Sequence, residues 1–214
     1  MSSRSVARVL ATAAAAAGAA VAVRAAHRAQ LVWGASPEEL AATLPGDGLV
    51  PQADLVATRA ITVDAAPEDV WPWVVQLGQG RGGFYSYDVL ENLVGLGVHS
   101  AERIVPEWQG LAVGDPVHLA EQFALTAAVV DPPHALVLEG AAPLADETAP
   151  PYDFTWAFVV QPTGDGATRL VVRERYGYKE RWVGRMVVPV SWLSFLMSQR
   201  MLRGIRDRAQ GARA

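Results

Sequence analysis

Between Phe154 and Tyr176 the chain alternates bulky apolar with small or polar residues across a turn, and this run constrains the fold more than any other. Phe154, Trp156, Phe158 and Val160 share one face by the two-residue period of a strand, with Thr155, Ala157, Val159 and Gln161 on the other. Thr163-Gly164-Asp165-Gly166 supplies turn chemistry, and residues 169–176 alternate again. The pair predicts an antiparallel hairpin whose aromatic face needs a second layer to cover it. Strand-like runs at 116–121, 125–130 and 135–139 precede it, bounded by Val113-Gly114-Asp115 and Asp131-Pro132-Pro133. Beyond Tyr178 the period turns helical, with a long helix expected from Pro189. Its spacing places Leu193, Leu196, Met197, Met201, Leu202 and Ile205 toward a core, with Arg200, Arg203, Arg206 and Arg208 toward solvent. The apolar stretch 187–197 is too short to span a bilayer.

Upstream, Ser36-Pro37-Glu38-Glu39 carries an N-cap, a proline suited to a first helical turn and a capping-box glutamate, predicting a short helix over 37–43. The turn 44–48 separates it from a strand over 56–63. Pro67 opens a helix whose Val70, Trp73, Val74 and Leu77 recur at i, i+3, i+4 and i+7. The four glycines of 78–83 end it; the segment lacks the Lys-Ser/Thr of a phosphate loop and follows a helix, so a structural turn is expected. A second helix over 87–96 follows, with Leu90, Leu93 and Val94 on one side. One strand, two short helices, several antiparallel strands and a long terminal helix make an α+β layout.

Residues 9–23 form a 15-residue uncharged run, mostly Ala and Val, with Arg4 and Arg8 before it and Arg24, His27 and Arg28 after. Three readings compete. A membrane anchor reaches the required length of about 20 residues only by taking in Arg8 and Arg24 as snorkelling ends. A secretory signal fits the small-x-small site Ala20-Val21-Ala22. An Ala-rich helix outside a membrane fits the propensity of Ala. The anchor is the expectation carried forward, with the protein membrane-associated by this one helix and otherwise cytoplasmic. The expected organisation is a helical extension over 1–30, a linker with a short helix over 31–50 and a domain over 51–210.

Charge is segregated: residues 1–30 carry four Arg and no acid, 31–168 carry Arg59, Arg81 and Arg103 against 19 acids, and 169–214 carry 11 basic residues against three acids. A basic terminal segment reads more simply as a solvated helix face than as a surface for phosphates, and no nucleic-acid partner is expected. The absence of Cys excludes a disulfide scaffold, a thiolate metal site and a cysteine nucleophile.

The segments Ala66-Pro67-Glu68-Asp69-Val70-Trp71-Pro72-Trp73, Gly80-Arg81-Gly82-Gly83-Phe84-Tyr85-Ser86-Tyr87-Asp88, Ile104-Val105-Pro106-Glu107-Trp108 and Val113-Gly114-Asp115 resemble the SRPBCC group of the START-like, polyketide cyclase-dehydratase superfamily. The resemblance covers about residues 31–208. It implies a helix-grip fold, in which a curved antiparallel sheet wraps a long C-terminal helix around a hydrophobic cavity. Members of the superfamily bind lipids, sterols, polyketides or hormones, and some are cyclases or dehydratases. The group has no catalytic signature that transfers residue by residue, and no cofactor is implied.

Such a cavity is lined by apolar and aromatic side chains with a few polar groups that orient the ligand. Phe154, Trp156 and Phe158 on the hairpin, Trp108, and Leu193, Leu196 and Met197 on the long helix are the inward candidates, with a filled core as the alternative. Arg81, Tyr85, Tyr87 and Asp88 form the densest polar cluster. Arg81 suits a ligand carboxylate or phosphate, or else a structural ion pair with Asp88 or Glu91. Glu174 shares parity with Leu170 and Val172; on a cavity face it would be an acid among apolar residues, its pKa expected to rise, and a weak candidate with Arg81 and Tyr85 for proton transfer. His99, Glu102, Glu107, His118 and His134 lack ligand spacing, so no metal is expected. Three functions remain open: a binding domain for a hydrophobic small molecule or lipid, which is favoured; a cyclase- or dehydratase-like enzyme; and an interaction module with a filled core whose Arg-rich end meets an anionic membrane or a partner.

Overall fold

A computed structural model describes residues 3–87, 99–140 and 150–211. The chain runs α1 (Ser3–Leu31), α2 (Pro37–Ala41), β1 (Leu55–Val63), α3 (Pro67–Val75), β2 (Pro116–Ala120), β3 (Phe123–Asp131), β4 (Ala135–Glu139), β5 (Tyr152–Pro162), β6 (Thr168–Tyr178) and α4 (Val183–Gly211). The six strands form one antiparallel sheet in the order β1-β6-β5-β4-β3-β2. The first strand thus closes onto the last, and the sheet curves around α4 in a helix-grip α+β fold. The helix expected over 87–96 lies outside the described residues, apart from Tyr87.

In α3, the sequence stripe Val70, Trp73, Val74 is buried, and Leu77 just beyond the helix is buried with it. These side chains join Phe158, Val160, Leu170 and Val172 of the sheet and Met201, Leu202 and Ile205 of α4 in the main core. Ser36 caps α2 through a complete capping box: Ser36 Oγ accepts from the Glu39 N–H at 3.2 Å, and Glu39 Oε2 accepts from the Ser36 N–H at 2.7 Å.

Three expectations are corrected. The first is the membrane anchor: among the described residues no helix is long and apolar enough to cross a membrane. Within α1 the uncharged run is mostly Ala, and beyond it come Arg24, Arg28 and Gln30. The end of α1 instead packs on protein: Gln30 is buried and donates to Ser191 Oγ of α4 at 3.1 Å, and Trp33 stacks edge-on against Phe195. The second is the start of α4, which lies at Val183 rather than Pro189, so that Pro189 sits inside the helix, where it forgoes one backbone hydrogen bond. The third is the facing of α4. Leu193 and Leu196 are 57% and 52% exposed, because the buried stripe runs through Val183, Val187, Ser191, Ser198, Met201, Leu202 and Ile205 instead.

The far face of the sheet holds the N-terminal linker. Arg169 pairs with Glu39 at 2.6 Å, and Arg173 pairs with Asp47 at 2.7 Å while donating to the carbonyls of Glu39 and Ala42. Arg175 donates to the carbonyls of Val50 and Pro51. Three of the eleven basic residues after residue 168 are therefore committed within the molecule, which removes these three arginines from any phosphate-binding surface.

Candidate functional site

The two-residue period of β5 and β6 brings Phe154, Trp156, Tyr176 and Glu174 onto the helix-facing side of the sheet, with Trp156 opposite Glu174 and Phe154 opposite Tyr176. The 3.6-residue period of α4 presents Ser194, Met197, Ser198 and Met201 to them, and the β2–β3 hairpin adds Leu119, Ala120 and Phe123. With Phe84 and Ser86 these residues line a half-open cavity of about 330 Å³. Its aromatic wall is built of paired rings: centroids lie 4.7 Å apart for Phe154 and Tyr176 and 6.3 Å for Phe84 and Trp156, and Trp156 rests on buried Phe158 at 4.7 Å.

One corner of the cavity is polar. Glu174 Oε1 accepts from Arg59 Nη1 at 2.7 Å, from Ser194 Oγ at 2.5 Å and from Ser198 Oγ at 3.3 Å. Its Oε2 accepts from the Tyr176 hydroxyl at 3.3 Å. Arg59, on β1, is held from behind by Gln30, whose carbonyl accepts from Nε at 3.2 Å and whose Oε1 accepts from Nη2 at 3.1 Å. Burial, reinforced by the negative charge of Glu174, pushes the Tyr176 hydroxyl well above its ordinary pKa. The acid expected to stand alone among apolar side chains is thus the centre of a hydrogen-bonded ion pair, a different electrostatic setting from the one that parity alone suggested.

Of the residues singled out from the sequence, Phe154, Trp156, Met197 and Glu174 line the cavity. Phe158 lies fully buried beneath Trp156. The others are elsewhere. Arg81 turns back to donate to the carbonyls of Val75 and Trp108, so it terminates α3 rather than meeting a ligand; burial lowers its pKa. Asp88 and Glu91, its alternative partners, lie outside the described residues. Trp108 is half-buried in a single 3₁₀ turn (Pro106–Trp108) and does not reach the cavity. Tyr85, 1% exposed, accepts from Gln76 Nε2 at 2.9 Å, stacks on Trp73 and lies under the Arg208 guanidinium; burial drives its pKa far above the ordinary tyrosine value. Tyr87 is 43% exposed, and Leu193 faces away.

The glycine segment is the structural turn expected: Gly78 and Gly83 form a β-bridge, and both have positive φ. No three His, Asp or Glu side chains converge as a metal site among the described residues.

Sequence reasoning missed Ser86, Leu119, Phe123, Tyr176, Ser194 and Ser198 as lining residues, and missed Arg59 behind them. A signal existed for two groups. Ser194, Met197, Ser198 and Met201 recur at i, i+3, i+4 and i+7. Arg59 is a lone charge inside an otherwise uncharged strand, which asks for a buried partner.

No family model and no curated protein sequence matches the chain. Solved structures do show a likeness. A norcoclaurine synthase point mutant from Thalictrum flavum, in complex with a transition-state analogue, is 15% identical, with 75% of this chain and 96% of that one covered at a TM-score of 0.47. Protein Ms6760 from Mycobacterium smegmatis is 14% identical over 72% of this chain and 89% of its own, at 0.44. TTHA0849 from Thermus thermophilus is 16% identical over 75% of this chain and 100% of its own, at 0.37. The helix-grip assignment rests on the strand order and the terminal helix of this chain itself, and these likenesses add nothing about its ligand or activity.

Proposed function

We propose that the protein binds a hydrophobic small molecule in the cavity between the sheet and α4. The observation that carries this reading is the wall itself: five aromatic residues, two methionines and Leu119 line about 330 Å³, with Glu174, Ser194 and Ser198 gathered at one corner. Ligand sites are built this way, apolar for affinity and polar at a few points for orientation. The volume lies at the small end of the usual range, which favours a single compact molecule over a two-chain lipid.

The test is native mass spectrometry of the full chain purified without detergent. A reproducible apolar adduct is expected, released on denaturation and lost in Trp156→Ala. Absence of an adduct, together with no binding of naphthalene, sinks the reading.

Catalysis of the cyclase or dehydratase type is a second reading, favoured by one observation: a carboxylate on the cavity wall, with Oε2 bonded at 3.3 Å to a tyrosine. It predicts turnover of a cavity ligand that Glu174→Gln abolishes while binding persists; unchanged turnover in that variant removes Glu174 from the chemistry.

A further inference from the structure

Two features of the cavity bear on what its occupant carries. The first is an orphan donor. Trp156 lines the cavity, and its indole Nε1 is buried without a hydrogen-bond partner among the described residues. Buried polar atoms are almost always partnered, so an unpartnered indole N–H on a residue of the cavity wall is open to an acceptor that a ligand supplies. An indole nitrogen only donates.

The second feature is that the described residues of the site offer no free cation. Among the described lining residues there is no Arg, Lys or His. Arg59 stands behind Glu174, but its donors are committed: Nε to the Gln30 carbonyl, Nη1 to Glu174, Ser194 and Ser198, and Nη2 to Gln30 Oε1 and the Ser191 carbonyl. Arg81, the residue the sequence suggests for a ligand carboxylate, does not line the cavity, and its Nη2 donates to two backbone carbonyls. An anion entering the cavity would shed water, and the nearest cation, Arg59, is already paired with Glu174, so none of the described lining groups offsets that desolvation.

Building on the cavity-binding reading, we infer that the occupant is a neutral molecule whose apolar body carries an oxygen acceptor, a carbonyl or a hydroxyl, for the Trp156 indole N–H, and that free acids are refused. Trp156 is the β5 neighbour of Glu174 in the β5–β6 register, and Phe154, Phe84 and Met197 supply apolar wall for the body.

The experiment titrates the ¹⁵N-labelled full chain at pH 7 with naphthalene, 2-acetylnaphthalene, 2-naphthol and 2-naphthoate, following the tryptophan indole N–H signals. The Trp156 signal is assigned by its loss in Trp156→Phe. The ketone or the naphthol should bind about three- to tenfold more tightly than naphthalene, the gain of one net hydrogen bond. The Trp156 signal should move downfield with them and not with naphthalene. Naphthoate should bind at least about tenfold more weakly than the ketone. In Trp156→Phe the advantage of ketone and naphthol over naphthalene should vanish; whichever of the two is tighter in the native chain names the oxygen function. Naphthoate binding as well as the ketone, or a Trp156 signal unmoved while the ketone saturates, overturns the inference. Naphthalene bound with no preference for oxygen overturns it and leaves the cavity reading intact, whereas failure of all four probes overturns both.

Discussion

Arg59 and Glu174 sit 2.7 Å apart with side chains 1% and 3% exposed. At that burial, desolvation of two ions competes with their attraction, and the balance depends on the remaining hydrogen bonds being made. Here Gln30, Ser191, Ser194, Ser198 and Tyr176 make them. Removing one ion is expected to cost more than removing both: Arg59→Met or Glu174→Leu alone should lose about 3–5 kcal/mol in urea unfolding, and the double variant less than either. A double variant as damaged as the sum of the singles would show that the pair is not coupled. The buried tyrosines give a second expectation at this scale. Tyr85 and Tyr176 both have folded pKa values raised above the ordinary 10.0, mainly by burial. The folded state then holds protons that the unfolded state releases above about pH 10, so their contribution is full below that pH and is lost as pH rises. The unfolding midpoint should fall on going from pH 9 to pH 11, and less steeply in Tyr85→Phe. An identical slope in that variant would assign the alkaline loss to other groups.

Among the elements, α4 shows why part of the site was legible in the sequence and part was not. Its buried stripe includes Ser191 and Ser198 because the sheet places an ion pair opposite them, so a periodicity read from apolar residues rotates the inner face toward Leu193 and Leu196. On β5 the same reasoning works, since Phe154 and Trp156 face the cavity by parity alone. Arg81 and Tyr85 look like a ligand cluster because they adjoin glycines. The Gly78–Gly83 bridge instead folds Arg81 back onto the carbonyl of Val75, the last residue of α3, an orphan acceptor at a helix end. The linker on the far face offers a test at this scale. The hydrogen bond from Arg169 to Glu39, helped by the Ser36 N–H, holds the Glu39 pKa below its ordinary value. A depressed carboxylate stabilises above its unfolded pKa and ceases to as pH falls through the folded one. Hydrogen exchange corrected for intrinsic rates should show residues 37–51 less protected at pH 3 than at pH 6, with Arg169→Ala giving the same loss at pH 6. Equal protection in all three conditions would mean that packing of Leu44 and Val50, not the arginines, holds the linker.

For the molecule as a whole, the charge segregation along the sequence resolves into neutralisation in space: acids of the first half, Glu39 and Asp47, meet arginines of the last strand, Arg169 and Arg173. Among the described residues the order of elements was readable because strand and helix periods differ cleanly from β1 onward. The buried pair joining α1, β1, β6 and α4 was not, since it links residues 115 positions apart, and no local pattern reports such a contact. That closure ties ligand binding to global stability. A ligand present at about ten times its Kd stabilises the folded state by about 1.4 kcal/mol, which for a chain of this size raises Tm by roughly 3–6 °C. Naphthalene should do so for the native chain. Met197→Trp puts a larger ring into the cavity, and it should abolish the naphthalene shift while changing stability by no more than about 1–3 kcal/mol, the usual cost of overpacking. If the variant folds and keeps the full shift, the probe is bound somewhere other than between the sheet and α4, and the cavity is not the binding site.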